Sequence, residues 1–177
     1  MSGRRERSNE QRFSTSQTGR YGTDWEEELR LEISASKNRF SLSRIADEAL
    51  KFVGCTYKLG GIGEDNTIDC SGLVYRAIKD SGYNPSVVRQ NAITYRNSKE
   101  STFVERGHEQ KGDLVHFNHS DGTYHIGIVY DPKLKTMLNA VSESADGNGE
   151  VKISYYNSSY WAPKLEMFSR PNRMTRY

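Results

Sequence analysis

The period of the hydrophobic pattern changes part-way along this chain, and that change limits the architecture more than any other feature. Up to about residue 100 the apolar residues recur at helical spacing. Leu42, Ile45, Ala46, Ala49, Leu50 and Val53 form one such face, with Ser41 as the expected N-cap and Gly54 as the stop. A second helix is predicted to begin at Asp69 or Cys70, to run through Leu73, Val74, Ala77 and Ile78, and to end near Gly82. A polar helical stretch is expected over 87–97. Beyond that the runs are short, β-branched or aromatic, and separated by Asp, Gly, Asn and Pro: 113–118, 124–131, 135–142 and 150–156. Helices first and strands second predict an α+β fold, an antiparallel meander with its helices on one side.

With 177 residues and a mean hydropathy of −0.81, the chain must concentrate its apolar residues in those few elements. Residues 1–22 carry Arg4, Arg5, Arg7, Arg12 and Arg20 with few large apolar side chains, and are expected to be a disordered basic tail. A linking helix is expected over 23–37, the main domain over 38–171, and a second tail over 172–177. A net charge of +2 gives no indication of nucleic acid as a partner. No apolar run approaches the roughly 20 residues needed to span a bilayer, and nothing near Met1 reads as a secretory signal. A substrate outside the cytoplasm would therefore imply delivery by a non-Sec route or by lysis.

Cys55 and Cys70 are the two cysteines, too few for a disulfide framework. At the end of an amphipathic helix, Cys55 reads as a small buried hydrophobe. Cys70 differs, because a thiol in the first turn of a helix meets free N–H groups and the positive end of the dipole, which are expected to lower its pKa towards neutrality. Of four histidines, His125 is the expected base. It opens the run HIGIVY, and Asn139 would lie beside it if 124–131 and 135–142 pair through a turn at Pro132. His116 reads as a partly buried structural residue, His119 as exposed in a polar turn, and His108 as a residue of a charged loop. No metal site is expected, since no second cysteine or carboxylate falls at ligand spacing, and no cofactor is implied. Gly60 and Gly61 lack the lysine and hydroxyl of a phosphate loop.

YKLGG (57–61), DCSGLV (69–74), GDLVHF (112–117), HIGIVYD (125–131) and MLNAVS (137–142) occur in this order. Together they resemble the NlpC-type cell-wall endopeptidases, the minimal papain-like cysteine peptidases, over about residues 40–170. The resemblance implies Cys70 as nucleophile, His125 as general base and Asn139 at the polar third position, where the family more often has histidine. It implies that Tyr57 helps bind substrate or oxyanion, and that Asp69 and Ser71 cap the helix and contact the free amine of a stem peptide. The implied substrate is peptidoglycan, cut between γ-D-glutamate and a diamino acid, commonly meso-diaminopimelate, through a thiol acyl-enzyme. Two alternatives accompany this reading: an amidase or endopeptidase of the CHAP kind, and a catalytically silent wall-binding or interaction module. A secreted effector would add an immunity protein or delivery machinery as partner, and a phage lysin would not.

Overall fold

The structure, a computed structural model, describes residues 24–39, 41–143 and 149–174. The chain divides between Ser36 and Lys37 into two compact units. Most of α1 (Asp24–Arg39) lies in the first unit, and Asp24, Glu26 and Glu27 stand in its first turn, where the dipole favours acids. The expected basic tail falls outside the described residues.

In the second unit α2 (Ser43–Leu50) is shorter than its pattern suggests. Ser41 is not its cap: Leu42 holds that position with helical φ and ψ of −54° and −41°, and the Ser41 hydroxyl pairs with that of Ser43 at 2.9 Å. The α-helix ends at Leu50, and Leu50 and Val53 are exposed rather than in the core. Gly54 does turn the chain, with φ at +89° and its N–H donated to the Val151 carbonyl at 2.9 Å. After β1 (Thr56–Tyr57) and β2 (Thr67–Ile68) comes α3 (Cys70–Asp80). Only Ala92–Asn97 of the expected polar helix forms, as α4, capped by the Asn91 side chain accepting from Thr94 N–H at 2.9 Å. The residues before it are irregular, and Arg89 among them is drawn to Asp69.

The strands β3 (Ser101–Val104), β4 (Leu114–Asn118), β5 (Tyr124–Asp131), β6 (Thr136–Val141), β7 (Glu150–Tyr155) and β8 (Leu165–Pro171) complete a sheet of order β2-β1-β7-β6-β5-β4-β8-β3. The predicted meander is its centre, with β4 to β7 adjacent in chain order and antiparallel. Alternation along the strands gives the sheet two packed faces. One, with Leu114, Ile126, Ile128, Leu138 and Ala140, meets Ile45, Ala49, Leu73 and Val74 of α2 and α3. The other packs Val115, Phe117, Val129 and Met137 against Trp161 and Phe168. Each fully buried side chain of this size contributes roughly 1.5–3 kcal/mol of apolar burial.

Candidate active site

Asp69 sets the first wall of the site. Its extended backbone ends the loop after β2, and its carboxylate caps α3 by accepting from Gly72 N–H at 2.6 Å. The same oxygen accepts from the Ser71 hydroxyl at 3.0 Å, and the other oxygen from Gly60 N–H at 2.7 Å. Arg89 Nη2 reaches both oxygens, at 2.9 and 2.8 Å. One buried carboxylate thus fastens the YKLGG loop, the start of α3 and the segment before α4. This close approach requires glycine: a Cβ on Gly72 would overlap the Gly61 carbonyl.

Cys70 follows at the first position of α3 and is 9% exposed. Here the sequence expectation is corrected. Burial, followed by the Asp69 charge, pushes the thiol up to about 11, and the backbone N–H groups of Ile126, Ser71 and Cys70 offset this only in part. Desolvation of the sulfur outweighs what those N–H groups supply. Burial also raises the Tyr57 hydroxyl to about 12, with the neighbouring Cys70 and Asp69 adding to the effect, so it remains a donor.

The second wall is the sheet. His125 Nε2 lies 3.0 Å from Asn139 Oδ1. The Asn139 amide nitrogen donates to Ser154 Oγ at 2.9 Å and to the Lys152 carbonyl at 3.3 Å, so its oxygen is the atom turned to the ring. Nε2 therefore carries the hydrogen, and Nδ1 is left as the basic nitrogen. The imidazole stacks on Trp161, with ring centroids 4.7 Å apart and planes at 21°, and Phe117 packs at 5.9 Å. Burial holds His125 down at about 4; the Asn139 bond opposes this and nearby His119 reinforces it.

A cleft of about 490 Å³ separates the walls and is lined by Tyr57, Asp69, Cys70, Ser71 and His125, the predicted residues, together with Arg89. Asn139 is fully buried behind the imidazole rather than in the lining. Three neighbours escaped the sequence reading. Arg89 sits in an irregular segment with no local pattern, and Trp161 in a loop about 36 residues beyond the imidazole it packs on. His119, expected to be exposed, is half-buried and stands edge-on to His125 and Trp161 at 6.5 and 6.0 Å. His116 is fully buried rather than partly so, with Nε2 2.7 Å from Ser169 Oγ, and burial holds it down at about 4. His108 is exposed and takes no part. Cys55 is buried and donates to Asn66 Oδ1 at 3.1 Å, and burial raises its thiol. Gly60 N–H is engaged by Asp69. Among the described residues, no group of three or more His, Cys, Asp or Glu side chains is arranged to hold a metal ion.

The model of the NlpC/P60 family matches residues 54–170. The chain belongs to the NlpC/P60 family. A curated relative, the probable endopeptidase p60 of Listeria seeligeri, is 33% identical over 126 residues, which are 71% of this chain and 21% of that protein. The corresponding protein of Listeria grayi is 36% identical over 112 residues, 62% of this chain and again 21% of the relative. The chain thus spans about a fifth of the length of the curated relatives it matches. Among solved structures, an NlpC/P60 protein of Staphylococcus aureus described as similar to lipoprotein superposes with a TM-score of 0.60 at 26% identity, covering 75% of this chain and 42% of that one. The α+β fold, helices packed on a curled sheet that is antiparallel except for its β1–β2 edge pair, is the papain-like arrangement of NlpC/P60 domains.

Proposed function

We propose that this NlpC/P60 chain is a cysteine endopeptidase that hydrolyses peptidoglycan stem peptides, acting within a catalytic domain of residues 38–171. The bond we assign is that between γ-D-glutamate and a diamino acid such as meso-diaminopimelate. The carrying observation is that Cys70 and His125 line one cleft while Asn139 occupies Nε2 of the imidazole, leaving Nδ1 as the basic nitrogen. With the thiol raised to about 11 and the imidazole lowered to about 4, both are neutral at rest. His125 then takes the Sγ proton as sulfur attacks the scissile carbonyl, rather than before it.

The oxyanion forms near the backbone N–H of Cys70 and the Tyr57 hydroxyl, both donors. Collapse of the tetrahedral intermediate breaks the C–N bond, and the imidazolium returns its proton to the departing amine. Water, deprotonated by His125, attacks the thioester and releases the carboxylate and the thiol. Asn139 holds the ring through both half-reactions.

The test is incubation of the purified protein with muropeptides, followed by mass analysis of the products. One product should end in γ-D-glutamate and the other begin with the diamino acid. Cys70→Ala should lower the rate by at least about 10³-fold with the fold retained. Intact muropeptides with the wild-type protein, together with a Cys70 inert to iodoacetamide at high pH, would refute the assignment and favour a silent binding module.

A further inference from the structure

The turn between β4 and β5 carries a polar side chain that the proposed reaction does not use. His119 lies there with its main chain held at both atoms: its N–H donates to the Thr123 carbonyl at 2.8 Å, and its carbonyl accepts from Gly122 N–H at 2.9 Å. Asp121 stiffens the same turn and is spent in doing so, with Oδ1 accepting from Thr123 N–H at 2.9 Å and from the Thr123 hydroxyl at 2.7 Å. The ring of His119 is half-buried in the cleft lining and stands edge-on to His125 and Trp161, yet its two nitrogens have no hydrogen-bond partner among the described residues. A fixed main chain with an unspent polar side chain in a cleft lining suits a group that binds a ligand better than one that holds the fold together.

The position of that ring decides what it meets. In the proposed reaction the His125 imidazolium returns its proton to the departing amine, so the residue carrying this amine lies against His125. Its substituents extend over the neighbouring lining, to which His119 belongs, with the two ring centroids 6.5 Å apart. An imidazole presents at least one N–H in every protonation state, and a carboxylate accepts from any of them. A carboxylate there also offsets the positive charge that forms on His125 in the transition state, whereas an ammonium alone adds to it. Where the stem peptide continues, the α-carboxyl of the departing diamino acid is in amide linkage, and its side-chain carboxylate is the anion left. We infer that His119 is a specificity-determining residue that donates to the side-chain carboxylate of the departing diamino acid, selecting diaminopimelate over lysine and over amidated diaminopimelate. This rests on the proposed hydrolase reading and adds to it the group that tells the leaving residues apart.

The experiment uses synthetic stem peptides that differ only in the departing residue, which is meso-diaminopimelate, its side-chain amide or lysine. Each is extended by a further residue, so that the α-carboxyl is an amide, and each is offered to the full chain. The free carboxylate should raise kcat/KM about tenfold over either of the others, the effect of one charge-assisted hydrogen bond. His119→Phe keeps a ring in the turn but removes its N–H, and the preference should disappear; His119→Gln keeps an N–H donor and should retain part of it. A purely structural role would lower all the rates together and leave their ratio as in the wild type. Equal rates on these peptides with the wild-type chain, or a preference that survives in His119→Phe, would overturn the inference while leaving the hydrolase reading intact. Cleavage of none of them, with muropeptides also untouched, would instead mark failure of the hydrolase reading itself.

Discussion

The two walls of the cleft are held by different physics. On the helix side a single carboxylate gathers N–H, O–H and guanidinium donors from three segments, and the position of Cys70 follows from that polar knot. On the sheet side the position of His125 follows from packing, with Trp161 under the ring, Phe117 beside it, and one hydrogen bond to Asn139. Directional bonds define where the Cys70 thiol sits to a fraction of an ångström, but they bring a buried charge that raises its pKa. Aromatic packing holds the His125 imidazole without adding charge, and excludes the water that would keep it protonated. The NlpC/P60 site thus joins an electrostatic mount to a hydrophobic one, each with its own points of failure.

The largest effect that would separate them is on stability. Trp161→Ala empties a fully buried site under the imidazole and should cost about 4 kcal/mol in denaturant unfolding. Trp161→Phe should recover a large part of this, and an alanine variant as stable as wild type would show that packing does not hold this wall.

Per histidine, acid should act nearly as strongly, again on the sheet. His116 and His125 are held at about 4, whereas in the unfolded chain they titrate near the ordinary 6.5. Their contribution is complete above about pH 6.5, is lost as pH falls towards 4, and levels off below. Each histidine should account for roughly 3 kcal/mol over that window. Unfolding free energies at pH 7, 5.5 and 4 measure the loss, and His116→Gln should make it shallower. A pH-independent stability across this window would contradict the burial of both rings.

Asp69→Asn tests the polar wall more gently, because asparagine can still accept the capping bond while its charge is gone. Leaving Arg89 without its counter-ion should cost about 2 kcal/mol. The Cys70 thiol should titrate lower, since the Asp69 charge is one of the two groups of causes that raise it. The pH midpoint of iodoacetamide alkylation reads this directly, and an upward movement would mean that the carboxylate helps the thiolate.

The smallest change expected is in orientation of the His125 imidazole. Asn139→Ala leaves His125 in its aromatic setting but frees the tautomer, and kcat should fall about tenfold with KM little altered. In the wild type, kcat/KM should stay level from above about pH 4 to below about pH 11, because one proton is shared by the pair throughout. A narrow bell centred near neutrality would break that description.

Much of the helix wall was legible in the residues themselves. Cap, thiol and apolar stripe of α3 are neighbours in sequence, and a helix is built from contacts three and four residues apart, so Asp69, Cys70, Leu73 and Val74 announce one another. The central meander was legible for the same reason, since strands joined by short turns pair with their neighbours. Strands β3 and β8 were not: Ser101 pairs with Pro171, and neither segment carries a local signal strong enough to mark it. The two-residue β1 and β2 were also hidden, existing as strands only because β7 and each other supply hydrogen bonds.

The sequence by itself determined the chemistry on offer: a thiol at a helix start, a histidine at a strand start, an asparagine one strand later, and an order of motifs shared with a family. Tertiary structure decided how that chemistry is tuned. Whether Cys70 is raised or lowered, whether Asp69 is free or fully bonded, and whether His125 rests on water or on Trp161 all depend on desolvation and on charges brought in from distant parts of the chain. These act through space and decay with distance, not with sequence separation, so no local pattern encodes them.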